Sequence, residues 1–170
     1  MIIYHGVGSF SRPCDRSVTS PGKLKAMIRV IAVGKMKDKR LAGLAEDYLR
    51  RLRPLAPVEI IELKDSTPER EDREMAARLG KGGGHTLVIA MDEKGDDVTS
   101  EGFARVLGRH GSVTLLIGGA DGLGPQARAQ ARRTLRLSSM TFTHEMARVL
   151  LLEQVYRGFS ILKGMPYHRA

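Results

Sequence analysis

The chain has 170 residues, 42% hydrophobic and 28% charged, with 28 basic and 19 acidic side chains for a net charge of +9. That length supports one domain with a sizeable core, and no apolar run approaches the ~18 residues a bilayer span requires. The single cysteine, Cys14, excludes an internal disulfide and a cysteine-rich zinc site, and a reducing cytoplasm suits such a chain.

Trp is absent and aromatics make up 5%, so the core is expected to be aliphatic. A basic balance of this size favours a polyanionic partner, nucleic acid first.

Residues 1 to 26 differ from the rest. Serines, prolines and glycines give a turn-rich stretch without periodicity or a secretory apolar core. Four basic residues and one acid leave a transit peptide open, but a flexible leader, or a start assigned too early, is the plainer reading. Beyond it stand 24 basic and 18 acidic residues, so a net +6 survives in the domain expected over 27–170.

From Met27 onward the pattern alternates. Ile28 to Val33 reads as a strand. Leu41, Leu44, Ala45, Tyr48, Leu49 and Leu52 have helical spacing, ended by Pro54 and Pro57. Val58 to Leu63 is the second strand. Ser66-Thr-Pro-Glu69 opens a helix running to about Leu79, with Lys81-Gly-Gly-Gly84 as its stop. Thr86 to Met91, nearly all apolar, predicts a central strand followed by a turn over Asp92–Asp97. Thr99 or Ser100 caps a helix to about Leu107. Val113 to Ile117 is the fourth strand, Gly124-Pro125 opens a helix to about Arg133, and Leu135 to Phe142 is the fifth strand candidate. His144 to about Leu162 is the last helix. This order predicts an α/β fold: a parallel sheet with helices on both faces.

Four glycines fall within Gly118-Gly-Ala-Asp-Gly-Leu-Gly124, between a strand and a helix. A tight turn needs fewer, so the segment suggests a ligand pressed against backbone. Gly122-Leu-Gly-Pro-Gln-Ala127 formally fits the dinucleotide fingerprint. It sits on the fourth strand rather than the first, and the ribose-binding acid ~20 residues later is missing, which counts against a nicotinamide enzyme.

No pair among His5, His85, His110, His144 and His168 has metal-ligand spacing, so no metal is expected. His85 and His110 read as solvated loop residues and His144 as a helix start. Asp92, Glu93, Asp96 and Asp97 read as a solvated turn. In the last helix, apolar residues from Met146 to Leu162 cover more than one face, which suits burial or a dimer interface. Glu145/Arg148 and Glu153/Arg157 are spaced for helical ion pairs.

The chain resembles the RlmH type of SPOUT-class methyltransferase, the family that methylates N3 of a pseudouridine in large-subunit ribosomal RNA. The resemblance covers Met27 to Ala170. It is carried by Ile28-Arg-Val-Ile-Ala-Val-Gly34, Tyr48-Leu-Arg-Arg51, Leu115-Leu-Ile-Gly-Gly119 with Gly122, Leu137-Ser138, Arg148-Val-Leu150, Glu153, Tyr156-Arg157 and Pro166-Tyr-His-Arg169.

That resemblance implies a deep C-terminal trefoil knot, a homodimer, and S-adenosylmethionine held by Met91, Gly118, Leu137, Ser138, Ser139, Met140, Thr141 and Phe142. It implies 23S rRNA in the 70S ribosome as partner, with a helix 69 pseudouridine as target. Loss of the N3 proton makes that imide nucleophilic, and a nearby cation or base assists. The candidates are His168, Arg169 and Tyr167, with Arg157 in support. The resemblance implies a tail that closes over the site, across the dimer in one version. A non-catalytic ribosome-associated protein is the competing reading.

Overall fold

The computed structural model describes residues 27–80 and 86–169. The leader with His5 and Cys14, the Lys81–Gly84 stop and His85 lie outside the described residues.

Five strands form one parallel sheet in the order β2-β1-β4-β3-β5. They are β1 (Met27–Val33), β2 (Val58–Leu63), β3 (Leu87–Asp96), β4 (Ser112–Ile117) and β5 (Arg133–Leu135). The helices are α1 (Lys39–Leu52), α2 (Pro68–Leu79), α3 (Ser100–Arg109), α4 (Pro125–Gln130) and α5 (His144–Leu162). Strand residues alternate between the two faces. Ile28, Val30, Ala32, Leu115 and Ile117 pack with α1, α3 and α5, while Ile31, Val33 and Leu116 pack with α2 and α4. The central strands are buried on both faces, which explains their near-continuous apolar composition.

Capping fixes the helix starts. Asp38 accepts from the Arg40 N–H, Thr99 from Gly102, and Thr143 from Met146, each satisfying a backbone donor the helix leaves unpaired. Pro68 and Pro125 stand in the first turns of α2 and α4. Asp72, 5% exposed, accepts from the Gln126 N–H at 3.0 Å and the Ala127 N–H at 2.8 Å, tying α2 to the start of α4.

Three expectations are corrected. The Asp92–Asp97 turn is strand: β3 continues to Asp96, which pairs with Leu135 beyond an irregularity after Met91. Helix α4 stops at Gln130, because the chain turns at Ala131 into the edge strand β5. That strand occupies Arg133–Leu135, not 135–142; the apolar residues after it leave the sheet, with Met140 72% exposed.

Helix α5 packs on both α1 and α3 as well as on the sheet, and this three-sided seat accounts for most of its apolar circumference. Met146 and Leu162 remain exposed. Among the described residues no helix is long and apolar enough to cross a membrane.

Candidate active site

A cavity of about 480 Å³ opens at the carboxyl ends of β3 and β4. That is the end of an open α/β sheet where ligands bind, and the volume suits a small organic ligand. Three segments build it: the exit of β3 from Met91 to Lys94, the turn from Ile117 to Gly122, and the loop from Leu137 to Phe142, with His144 and Ala147 closing one side.

The glycine turn is shaped by backbone rather than side chains. Gly119 and Gly122 form an isolated antiparallel bridge, and Gly122 has φ +79°. A Cβ at Gly118 would run into the backbone of Gly122 and Leu123. Only glycine fits there, and the chain thereby exposes peptide groups to the cavity. Ser138 Oγ accepts from the Met140 N–H at 3.0 Å and Thr141 Oγ1 donates to Glu93 at 3.0 Å, so the third segment is held by local hydrogen bonds instead of sheet pairing.

Seven of the eight expected cofactor residues border the cavity: Met91, Gly118, Leu137, Ser138, Met140, Thr141 and Phe142. Ser139 is exposed and does not border it.

Residues 26–168 match the family described as predicted SPOUT methyltransferase. The chain belongs to that family. It is 43% identical over 147 residues to the ribosomal RNA large subunit methyltransferase H of Polynucleobacter asymbioticus, covering 84% of this chain and 98% of that one. With the protein of the same name from Parasynechococcus marenigrum it shares 46% identity over 144 residues, 84% of this chain and 96% of the relative. A solved structure, a probable methylase family protein from Haemophilus influenzae Rd KW20, superposes with TM-score 0.53 at 12% identity, covering 84% of this chain and 70% of that one; at that identity it speaks for the fold. Membership of the SPOUT methyltransferase family sets aside the nicotinamide reading of Gly122–Ala127.

Sequence reasoning missed several residues that border this cavity. Asp92 was read as part of a solvated turn. Its side chain is 9% exposed, borders the cavity and pairs with Arg128 at 2.6 Å. Glu93, Lys94 and Asp121 also border the cavity. Their shared signal was position: each follows the apolar run of a strand, near the sheet end that faces the crevice.

His144 does start α5, and it also borders the cavity; its buried Nε2 has no hydrogen-bond partner among the described residues. His110 is half-buried with Nδ1 2.9 Å from the Val106 carbonyl, not simply solvated. No group of three or more His, Cys, Asp or Glu among the described residues is arranged to hold a metal.

The expected Glu145–Arg148 pair does not form. Arg148, 1% exposed, points under the sheet end instead: Nη1 bonds Glu62 at 2.6 Å and Nη2 the Gly34 carbonyl at 2.7 Å. Glu145 accepts the N–H groups of Lys37 and Asp38 at 3.0 and 3.1 Å, bracing the β1–α1 loop beside the cavity. Glu153 and Arg157 do pair, with Arg157 Nε 3.0 Å from Glu153 Oε1.

The four expected catalytic residues belong to one neighbourhood, but none borders the cavity of its own chain. Tyr167 donates to Glu153 at 3.1 Å and lies edge-on to Tyr156 with centroids 4.7 Å apart. The Arg157 guanidinium stands 4.9 Å over the Tyr167 ring. His168 Nε2 is 2.7 Å from Glu101, and Arg169 is exposed. Burial, then the Tyr48 hydroxyl and the Glu153 carboxylate, push the Tyr167 phenol well above its ordinary range. Tyr167 therefore stays a protonated phenol at neutral pH, able to donate a hydrogen bond, and is not a phenolate base.

Proposed function

We propose that residues 27–170 form a single catalytic domain that transfers a methyl group from S-adenosylmethionine to large-subunit ribosomal RNA. In the finer version of this reading, the acceptor is N3 of a pseudouridine in the helix 69 loop of 23S rRNA on the assembled 70S ribosome. The observation that carries it is the cavity at the carboxyl ends of β3 and β4, with a floor of bare peptide at Gly118. The names of the relatives at 43% and 46% identity support ribosomal RNA as the acceptor.

The cavity's chemistry suits the methyl donor. Met91, Ile117, Leu137 and Phe142 offer apolar walls for an adenine ring, and the peptide groups around Gly118 and Gly122 offer donors and acceptors to a nucleoside. Asp92, Glu93 and Asp121 put carboxylates around a ligand bearing a positive sulfonium. When bound, S-adenosylmethionine supplies a methyl group already activated by its sulfonium.

The protein's remaining task is mainly alignment. Tail residues stabilise the N3 anion of the acceptor after its proton leaves to water, with Arg169 as the cation that meets it and Arg157 and Tyr167, both tied to Glu153, as support for the tail. In a homodimer, these groups reach the cavity from the partner subunit. Supporting this, the tail does not border its own chain's cavity, and Leu44 on α1 and Met146 on α5 are large apolar side chains left exposed. The close seating of Gly118 on Gly122 suits a threaded chain, and we include the family's trefoil knot in the proposal.

The test is methyl transfer from labelled S-adenosylmethionine to 70S ribosomes with and without the helix 69 pseudouridines. Label on the pseudouridylated ribosomes alone is the expected result. Label on both keeps the methyltransferase and removes the preference. No label together with no cofactor binding overturns the reading in favour of a non-catalytic ribosome-associated protein.

A further inference from the structure

The tail's polar contacts assign a role to a residue outside every motif considered so far. Glu101 stands in the first turn of α3, and its carboxylate Oε1 lies 2.7 Å from His168 Nε2. The other ring nitrogen, Nδ1, lies 3.3 Å from Arg157 Nη1. A guanidinium donates hydrogen bonds and never accepts them. The Nδ1 atom facing it must therefore carry the lone pair, and the proton sits on Nε2, directed at Glu101.

Protonation of both nitrogens would aim an N–H at the Arg157 cation. The neighbouring groups hold this arrangement in place. Arg157 is held in place by Glu153, which also accepts from Tyr167, and Tyr48 of α1 closes this cluster 3.5 Å from the Tyr167 hydroxyl. The carboxylate itself is kept ionised by α3, with its own backbone N–H and the Thr99 side chain among its partners.

We propose that Glu101 is a positioning residue for methyl transfer: it accepts the Nε2–H of His168, docks the C-terminal tail on α3, and leaves Arg169 as the tail's free cation. His168 is then an anchor whose lone pair is occupied by Arg157, and the acceptor's anion is met by Arg169. This rests on the methyltransferase reading above for its catalytic consequence, while the docking and the tautomer stand on geometry alone.

The experiment uses the full chain with ¹⁵N-labelled histidine, comparing wild type with Glu101→Ala and Glu101→Gln. Long-range proton–nitrogen spectra report which ring nitrogen of His168 carries the proton. The wild type is expected to show bare Nδ1 and protonated Nε2. Glu101→Ala should give mixed tautomers and lower kcat on ribosomes by about 10- to 100-fold, the scale on which an outer partner orienting an imidazole acts. Cofactor affinity, read by calorimetry, should be unchanged, because Glu101 and His168 line no part of their own chain's cavity and the tail's proposed duty is toward the acceptor.

Glu101→Gln keeps an accepting oxygen and should recover most of the rate and the wild-type tautomer. An unchanged His168 spectrum in Glu101→Ala overturns the proposal, and so does a rate loss matched by a loss of cofactor affinity. If wild type itself transfers no methyl, the methyltransferase reading fails and Glu101 has no catalytic role to play; the ring-nitrogen spectra still decide the docking independently.

Discussion

Arg148 is among the largest fully buried side chains of the protein, and its charge is matched by Glu62 and by carbonyls at the end of β1. Removing the Arg148 side chain leaves the carbonyl at the end of β1 without this partner, while Glu62, itself 36% exposed, keeps contact with solvent. Arg148→Ala is therefore expected to lower unfolding free energy by about 1–3 kcal/mol, read from urea denaturation. Arg148→Lys should recover little, since a lysine ammonium cannot span a carboxylate and a carbonyl with a planar fork. Acid titrates a different set. The Glu101 carboxyl is held at about 2 against an ordinary 4.5, first by its own backbone N–H and then by His168. The Asp38 carboxyl is held at about 2 against 3.8 by Arg40. Both pKa values are depressed on folding, so their contribution is present above the unfolded values and is lost as pH falls toward the folded ones. The urea midpoint should drop between pH 4.5 and about 2, and Glu101→Gln should flatten part of that drop.

At the scale of elements, the short helix α4 depends on a neighbour for its start. Gly124 supplies no capping side chain, and Asp72 of α2 does so across the chain. Asp72→Ala should cost about 1–2 kcal/mol, the usual range for a lost N-cap. Because α4 follows the glycine turn directly, the same variant should weaken S-adenosylmethionine binding in calorimetry. None of this was legible in the sequence: Asp72 lies 54 residues from Gln126, and the sequence placed it only within a helix running to about Leu79. What was legible were elements whose periodicity reports burial, such as β1, β4 and α1. The segment 135–142 failed for the converse reason. Beyond Leu135 its apolar side chains border the cavity or stand in solvent, and composition alone does not distinguish that duty from a strand's core. Arg148 failed likewise: spacing offered Glu145, while the sheet end offered Glu62 and two carbonyls with better geometry. The cavity-lining glycines were singled out by their density between a strand and a helix and the 137–142 loop by the family resemblance, while Asp92, Arg128 and His144 were not.

For the whole molecule, charge bears on the proposed encounter with ribosomal RNA. A net +9 on 170 residues attracts a phosphate surface, and each phosphate contact releases condensed counterions. The KM for ribosomes should rise steeply between about 50 and 200 mM salt, while the affinity for S-adenosylmethionine stays nearly level. Steady-state methyl transfer and calorimetry across that range separate the two; parallel salt dependence would place the charge effect in the cavity instead.

The sheet order carries one more consequence, for the birth of the chain. Strand β4 alone joins the β1–β2 pair to β3 and β5. Until residues 112–117 leave the ribosome, β3 has no partner strand, and the two halves of the sheet cannot meet. Nascent chains shorter than this carry apolar strands with open edges, the species that holdase chaperones bind. Folding is then late and nearly all-or-none, and it is slow because every pairing is parallel and distant in sequence. A stop codon before Ser112 should yield an aggregating fragment rather than a smaller stable domain.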